Sequence, residues 1–145
     1  MKPEGETLQF MQHMWELMHA LDVRSKRMVK SVGVTGPQRL VIRIIGQRAN
    51  QTASQIAATL NMHPSTLSGL LARLEHRGTI VRTVDADDRR RARFGLTPAG
   101  KKIDKLQKGT VEAAVRRALA RLDDADLDHV RDTFARLIEE LGRDD

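Results

Sequence analysis

The 145-residue sequence contains no cysteine, which excludes disulfides, thiol-based redox sensing and thiolate metal sites. It lacks any uninterrupted apolar span near the roughly 20 residues of a membrane helix. The start, Met1-Lys2-Pro3-Glu4-Gly5-Glu6, has no apolar run behind it of signal-peptide type. The expectation is a cytoplasmic protein with no membrane partner. Catalytic signatures are missing too: there is no Gly-x-Ser-x-Gly, phosphate-binding loop or dinucleotide fingerprint. The acidic clusters Asp85-Ala86-Asp87-Asp88 and Asp123-Asp124-Ala125-Asp126 are better explained as a turn and a helix start. His13, His19, His63, His76 and His129 form no His-Glu-x-x-His pattern, and His13 and His19 lie six apart on poorly matched helix faces. No enzyme, metal or cofactor is therefore expected. Strand-like stretches are few, and no repeat or low-complexity segment occurs.

Positive charge is what the chain has in excess. Its net charge is +6 and its pI about 10.3, which favours an acidic partner such as nucleic acid. The charge is uneven. From His63 to Lys102, nine cations face four carboxylates, a net +5; from Ala120 to Asp145, four cations face nine carboxylates, a net −5.

Along the chain, Thr7 to Val32 reads as one long helix with Leu8, Met11, Trp15 and Met18 at helical spacing, widened by Met14 and Leu17. Thr35-Gly-Pro-Gln38 has capping-box spacing. The helix that follows is expected to bury Leu40, Val41, Ile44 and Ile45, with Arg39, Arg43 and Arg48 elsewhere on it. Thr52-Ala-Ser-Gln55 is a second capping box and starts a short helix through Ile56, Ala57 and Leu60, ending in the turn Asn61-Met62-His63. After the basic stretch, Thr97 to about Leu122 reads as another long helix interrupted by Gly109. Leu127, Val130, Phe134, Leu137, Ile138 and Leu141 form a last apolar stripe.

Between these frames, Pro64 suits a first helical turn, because its φ is preset and it lacks the N–H that would go unpaired there. Leu67, Leu70, Leu71 and Leu74 make one apolar face. Ser65, Gly69, Ala72 and His76 centre on the opposite face, flanked by Thr66, Ser68 and Arg73. A face this smooth can lie in a major groove with hydroxyls near base edges or phosphates. On this helix alone, an ordinary amphipathic surface helix is the stronger reading. The next segment changes the weighing. Gly78 fits a left-handed helix exit, Thr79 to Val84 is a β-branched strand, Asp85 to Asp88 a turn, and Arg93 to Leu96 a return strand. Arg89, Arg90 and Arg91 are adjacent and repel one another. Folding gives no reason to cluster them, whereas a phosphate backbone or a narrow minor groove does. The competing reading is a solvated charge run. The fold class this implies is mainly α: a winged helix-turn-helix core with a two-stranded β-wing, flanked by N- and C-terminal dimerisation helices. The expected boundaries are 1–34 for the first dimerisation helix, 35–100 for the core and 101–145 for the last helices.

The run Asp88-x-Arg90-x5-Leu96-Thr97-x2-Gly100 resembles the wing signature of the MarR (multiple antibiotic resistance regulator) family. Pro64-Ser65-Thr66, Arg73-Leu74-Glu75 and Gly78 resemble that family's recognition helix and its exit. The resemblance implies a homodimeric bacterial transcription regulator, usually a repressor, often released by a small molecule. It also implies that Arg90 enters the minor groove and that Asp88 orients it. Some relatives sense peroxide through a cysteine, which this chain lacks. Others bind zinc through histidines on the helix after the wing, where this chain has none.

The expected partners are double-stranded DNA and a second copy of the chain. DNA contacts are assigned to Pro64, Ser65, Thr66, Ser68, Gly69, Arg73, Asp88, Arg89, Arg90 and Arg91, with Arg73, Arg89 and Arg91 mainly on phosphate. The dimer surface is assigned to Leu8, Met11, Trp15, Leu127, Val130, Phe134 and Leu137, because the terminal helices carry more apolar surface than a small core covers. A small aromatic or apolar acid as effector is assigned to Trp15, His19 and Arg43; the competing reading there is a core tryptophan and a solvated arginine. The other function classes are a winged-helix protein-interaction module and a helical ligand-binding protein, neither of which needs Arg89-Arg90-Arg91.

Overall fold

The computed structural model describes residues 1–88 and 91–144. The chain runs α1 (Glu4–Ser31), α2 (Gly36–Gln47), β1 (Gln51–Thr52), α3 (Ala53–Leu60), α4 (Pro64–His76), β2 (Ile80–Val84), β3 (Ala92–Leu96), α5 (Pro98–Lys105), α6 (Val111–Leu119) and α7 (Asp124–Leu141). The strands form one antiparallel sheet in the order β1-β3-β2. Contacts divide the chain into two compact units, Met1–Val111 and Glu112–Asp145. Among the described residues, no helix is long and apolar enough to cross a membrane.

Local chemistry sets the helix ends in the first unit. Both expected capping boxes form: Gln38 N–H donates to Thr35 Oγ1 and Thr35 N–H to Gln38 Oε1, with the same reciprocal pair at Thr52 and Gln55. Each occupies donors that a helix start otherwise leaves unpaired. α4 ends in a Schellman motif. Gly78 has φ +73°, its N–H donates to Glu75 O, and the Thr79 N–H donates to Leu74 O. α3 closes the same way on Asn61 (φ +48°), with Met62 N–H on Ala57 O.

The core joins Val34, Val41, Ile42, Ile45, Ile56, Leu67, Leu71, Leu74, Ile80 and Phe94. At about 1.5–3 kcal/mol for each large side chain removed from water, this cluster is what holds α2, α3, α4 and the sheet together.

Three expectations are corrected. The buried face of α2 is Val41, Ile42 and Ile45, while Leu40 is 48% exposed. Arg39, expected off the buried face, is 3% exposed, because its guanidinium donates to the backbone carbonyls of Ile103 and Leu106. It thereby gives the last carbonyls of α5 a side-chain donor. The single helix expected from Thr97 to Leu122 is two, α5 and α6. The chain leaves helical geometry at Leu106 (ψ 128°), and Gly109 adopts φ +75°. The two-stranded wing forms as expected, and the sheet also takes in β1, whose Gln51 pairs with Phe94. Gln51 is buried, and its amide nitrogen donates to Ile44 O and Arg48 O at the end of α2.

Gly100 has a packing reason. A Cβ there would lie 2.0 Å from the Thr79 carbonyl oxygen. Thr97 locks the same junction: its Oγ1 donates to Gly78 O, its N–H to Thr79 O, and Gly100 N–H donates back to Thr97 Oγ1. The start of α5 is thus pressed directly onto the root of the wing.

Candidate nucleic-acid interface

α4 presents the face that its sequence implies. Leu67, Leu71 and Leu74 are buried, while Pro64, Ser65, Thr66, Ser68, Gly69, Ala72, Arg73 and His76 are all exposed. A Cβ added at Gly69 would meet nothing within 4 Å. No neighbour explains a glycine in mid-helix, where it costs about 1 kcal/mol relative to Ala. What it does is keep the outward face low. The start of the helix carries a residue that sequence reasoning missed. His63 caps it, with Nδ1 accepting the Ser65 N–H at 3.2 Å and lying 2.7 Å from Ser65 Oγ. Histidine is not among the usual capping types, so only its place directly before Pro64 hinted at the role.

The wing is the β2–β3 ribbon, in register from Ile80 opposite Leu96 to Val84 opposite Ala92. Its root is in the core through Ile80 and Phe94. Beyond the root, Val81, Arg82, Thr83 and Val84 are all exposed, so the ribbon leaves the body of the protein. The turn is organised by Asp85, whose N–H donates to Arg91 O and whose Oδ1 accepts the Asp87 N–H, and by the Arg91 N–H on Asp88 O. The Asp88 carboxylate lies 3.9 Å from Arg91 Nε, and both side chains are exposed, so this pair contributes little stability. Arg89 and Arg90, the centre of the expected minor-groove contact, lie outside the described residues.

Arg82, Arg91 and Arg93 line a cleft of about 710 Å³ with Thr52, Ser54, Gln55 and Ser68, between the start of α3, α4 and the wing. Arg93 also donates to Asn50 O at 2.9 Å and so holds the turn before β1. Arg82 was not among the expected contacts; its place on β2, facing the same cleft as Arg91, is visible only in the folded hairpin.

Other expected residues are placed as follows. Trp15 is 64% exposed and His19 is exposed, both on α1, whereas Arg43 on α2 forms a 2.7 Å ion pair with Asp104 of α5. On α1, Leu8 and Met11 are exposed together with Phe10, Leu17, Met18 and Leu21, and Met28 alone is fully buried. On α7, no residue is fully buried; Leu127, Val130 and Leu137 are half-buried and Phe134 is 48% exposed. Among the described residues, no group of three or more His, Cys, Asp or Glu side chains is placed to hold a metal ion.

Known proteins share this arrangement. Residues 34–92 match the MarR family. The chain is 27% identical over 113 residues to an HTH-type transcriptional repressor of Mycobacterium tuberculosis, covering 78% of each chain. The crystal structure of a Staphylococcus aureus MepR–DNA complex superposes with a TM-score of 0.75 at 22% identity, over 91% of this chain and 97% of that one. Streptococcus pneumoniae FabT in complex with DNA superposes at 0.66 and 21% identity, over 93% and 96%.

Proposed function

We propose that this chain, whose residues 34–92 match the MarR family, is a MarR-family, sequence-specific DNA-binding transcription regulator acting as a repressor. The observation that carries the reading is the outward face of α4. It is exposed and carries small and polar side chains, with open space at Gly69, and it stands beside a ribbon that leaves the core carrying exposed arginines. In this reading the first half of α4, from Pro64 to Gly69, enters the major groove, where hydroxyls reach base edges. Arg73 holds phosphate, and the wing arginines Arg89, Arg90 and Arg91 hold the flanking backbone and minor groove, with Asp88 orienting Arg90. The DNA present in the MepR and FabT structures supports the same use of the fold.

The protein acts as a homodimer on a pseudo-palindromic operator, with 35–100 as the reading core and 1–34 and 101–145 as its frame. The support is the exposed apolar surface of α1 and α7: patches of this extent are uncommon on monomers, and a two-fold pair places two recognition helices about one turn of duplex apart. A small aromatic or otherwise apolar molecule, such as an aromatic acid, is the effector. Trp15 and His19 share a face of α1, and Arg43 would exchange the Asp104 carboxylate for that of the ligand.

Selection of bound fragments from a random duplex pool by the purified protein tests the central reading. Enrichment of one pseudo-palindrome is expected; recovery of no duplex above background contradicts it. For the effector, phenolic acids are titrated against Trp15 fluorescence and DNA release, and no response across a broad panel contradicts that part alone.

A further inference from the structure

We infer that His63 sets the hydrogen-bond polarity of Ser65, so that Ser65 reads an amino-bearing base, adenine or cytosine, in the major groove. The inference rests on the DNA-binding reading above and names what one of its contacts recognises. A serine hydroxyl can donate or accept, so a serine in the groove has no base preference of its own. At the start of α4 that freedom is removed.

Pro64 has no N–H, so the Ser65 N–H is the first donor of the helix without an intrahelical acceptor. His63 Nδ1 accepts it at 3.2 Å. An accepting ring nitrogen carries no hydrogen, which places the hydrogen of this ring on Nε2. The reverse tautomer would set an Nδ1–H against the Ser65 N–H, donor facing donor. Ser65 Oγ lies 2.7 Å from the same Nδ1, a normal length for a hydroxyl bond. With Nδ1 bare, that bond has one direction: the Ser65 hydroxyl donates. Its single hydrogen is engaged within the protein, and only oxygen lone pairs remain for DNA. His63 and Ser65 are both exposed. Gly69 stands four residues on, at the position that neighbours Ser65 on the helix surface, and has no side chain to cover it. In the major groove the base donors are the amino groups of cytosine and adenine, whereas guanine and thymine present N7, O6 and O4 as acceptors. An acceptor-only Ser65 therefore favours adenine or cytosine on the strand it faces, and sets lone pair against lone pair at guanine or thymine.

The test uses the full chain and the duplexes selected from a random pool by wild type, Ser65→Ala, His63→Ala and His63→Asp. Ser65→Ala should release one position in each half-site, which locates the contact. In wild type that position should be adenine or cytosine. Replacing its amino group by hydrogen (purine for adenine, 2-pyrimidinone for cytosine) should weaken wild-type binding about 3- to 10-fold, the worth of one hydrogen bond, and should have no effect in Ser65→Ala. His63→Ala frees the hydroxyl to donate and should admit guanine or thymine at that position, while the rest of the half-site keeps its preferences. A residue that only capped the helix would loosen the whole half-site instead. His63→Asp returns an acceptor that is also a favoured cap, and should restore the preference for an amino-bearing base. His63 is exposed, so both of its variants should fold; if His63→Ala does not, the amino-group replacement in wild type carries the readout. Guanine or thymine at the Ser65 position in wild type, an unchanged preference in His63→Ala, or a loss spread over the whole half-site would overturn the inference and leave DNA binding standing. Failure of wild type to select any duplex would overturn both.

Discussion

α4 and α7 are both amphipathic helices, of 13 and 18 residues, yet the structure completes only one of them. α4 has its leucine face buried in the core of its own unit, and its exposed face is hydroxyls, a glycine and cations. α7 has no fully buried residue, and its exposed side includes Phe134, Ile138 and Leu141. The difference teaches where each helix finds its partner. α4 satisfies its apolar side within the chain and offers a polar side to a polar, charged partner. α7 offers an apolar side, and that is the chemistry of another protein surface rather than of DNA.

The largest effect that could break this comparison is expected at α7. Phe134→Asp would place an unpaired charge in the proposed dimer surface and weaken self-association by about 3–5 kcal/mol. Sedimentation should find wild type as a dimer at micromolar concentration and the variant as a monomer. A wild-type monomer would mean that the exposed stripe has some other use. The next effect sharpens the claim that the reading core is complete in itself. Gly100→Ala drives a methyl into the Thr79 carbonyl and should cost about 1–3 kcal/mol of unfolding free energy, read by denaturant melts. Wild-type stability would mean that the junction between α5 and the wing root is loose. The smallest effect has the opposite sign. Gly69→Ala should stabilise the protein by about 1 kcal/mol, because nothing lies near the added methyl, while changing which duplex is preferred. A gain in stability with unaltered DNA preference would place that part of α4 outside the groove.

What was legible in the sequence was local. Thr35 with Gln38, and Thr52 with Gln55, announce helix starts because both partners of each cap lie within four residues. Gly78 and the four leucines of α4 likewise carry their reasons within one or two turns. What was not legible depended on distant partners. Arg39 was placed off the buried face of α2 because the carbonyls that bury it, at Ile103 and Leu106, are more than sixty residues away. β1 is two residues long and exists only because β3 returns beside it. The break after α5 has no proline, and Gly109 alone did not distinguish a kink from an end. In the site, the small polar face of α4 could be placed by counting, whereas the cap at His63, the cleft role of Arg82 and the bond from Arg77 to Gly33 O required the fold.

The central claim is that α4 and the wing together read DNA, and a salt titration tests it most directly. Affinity for the selected duplex and for a scrambled duplex is measured across salt concentrations with wild type and Arg90→Ala. The account predicts that wild type prefers the selected duplex. It also predicts that Arg90→Ala binds every tight site more weakly, with a slope shallower by roughly one unit for each phosphate no longer neutralised and less preference for narrow A·T flanks. Wild-type affinity and slope in Arg90→Ala would mean that the wing does not touch DNA, and would contradict the account.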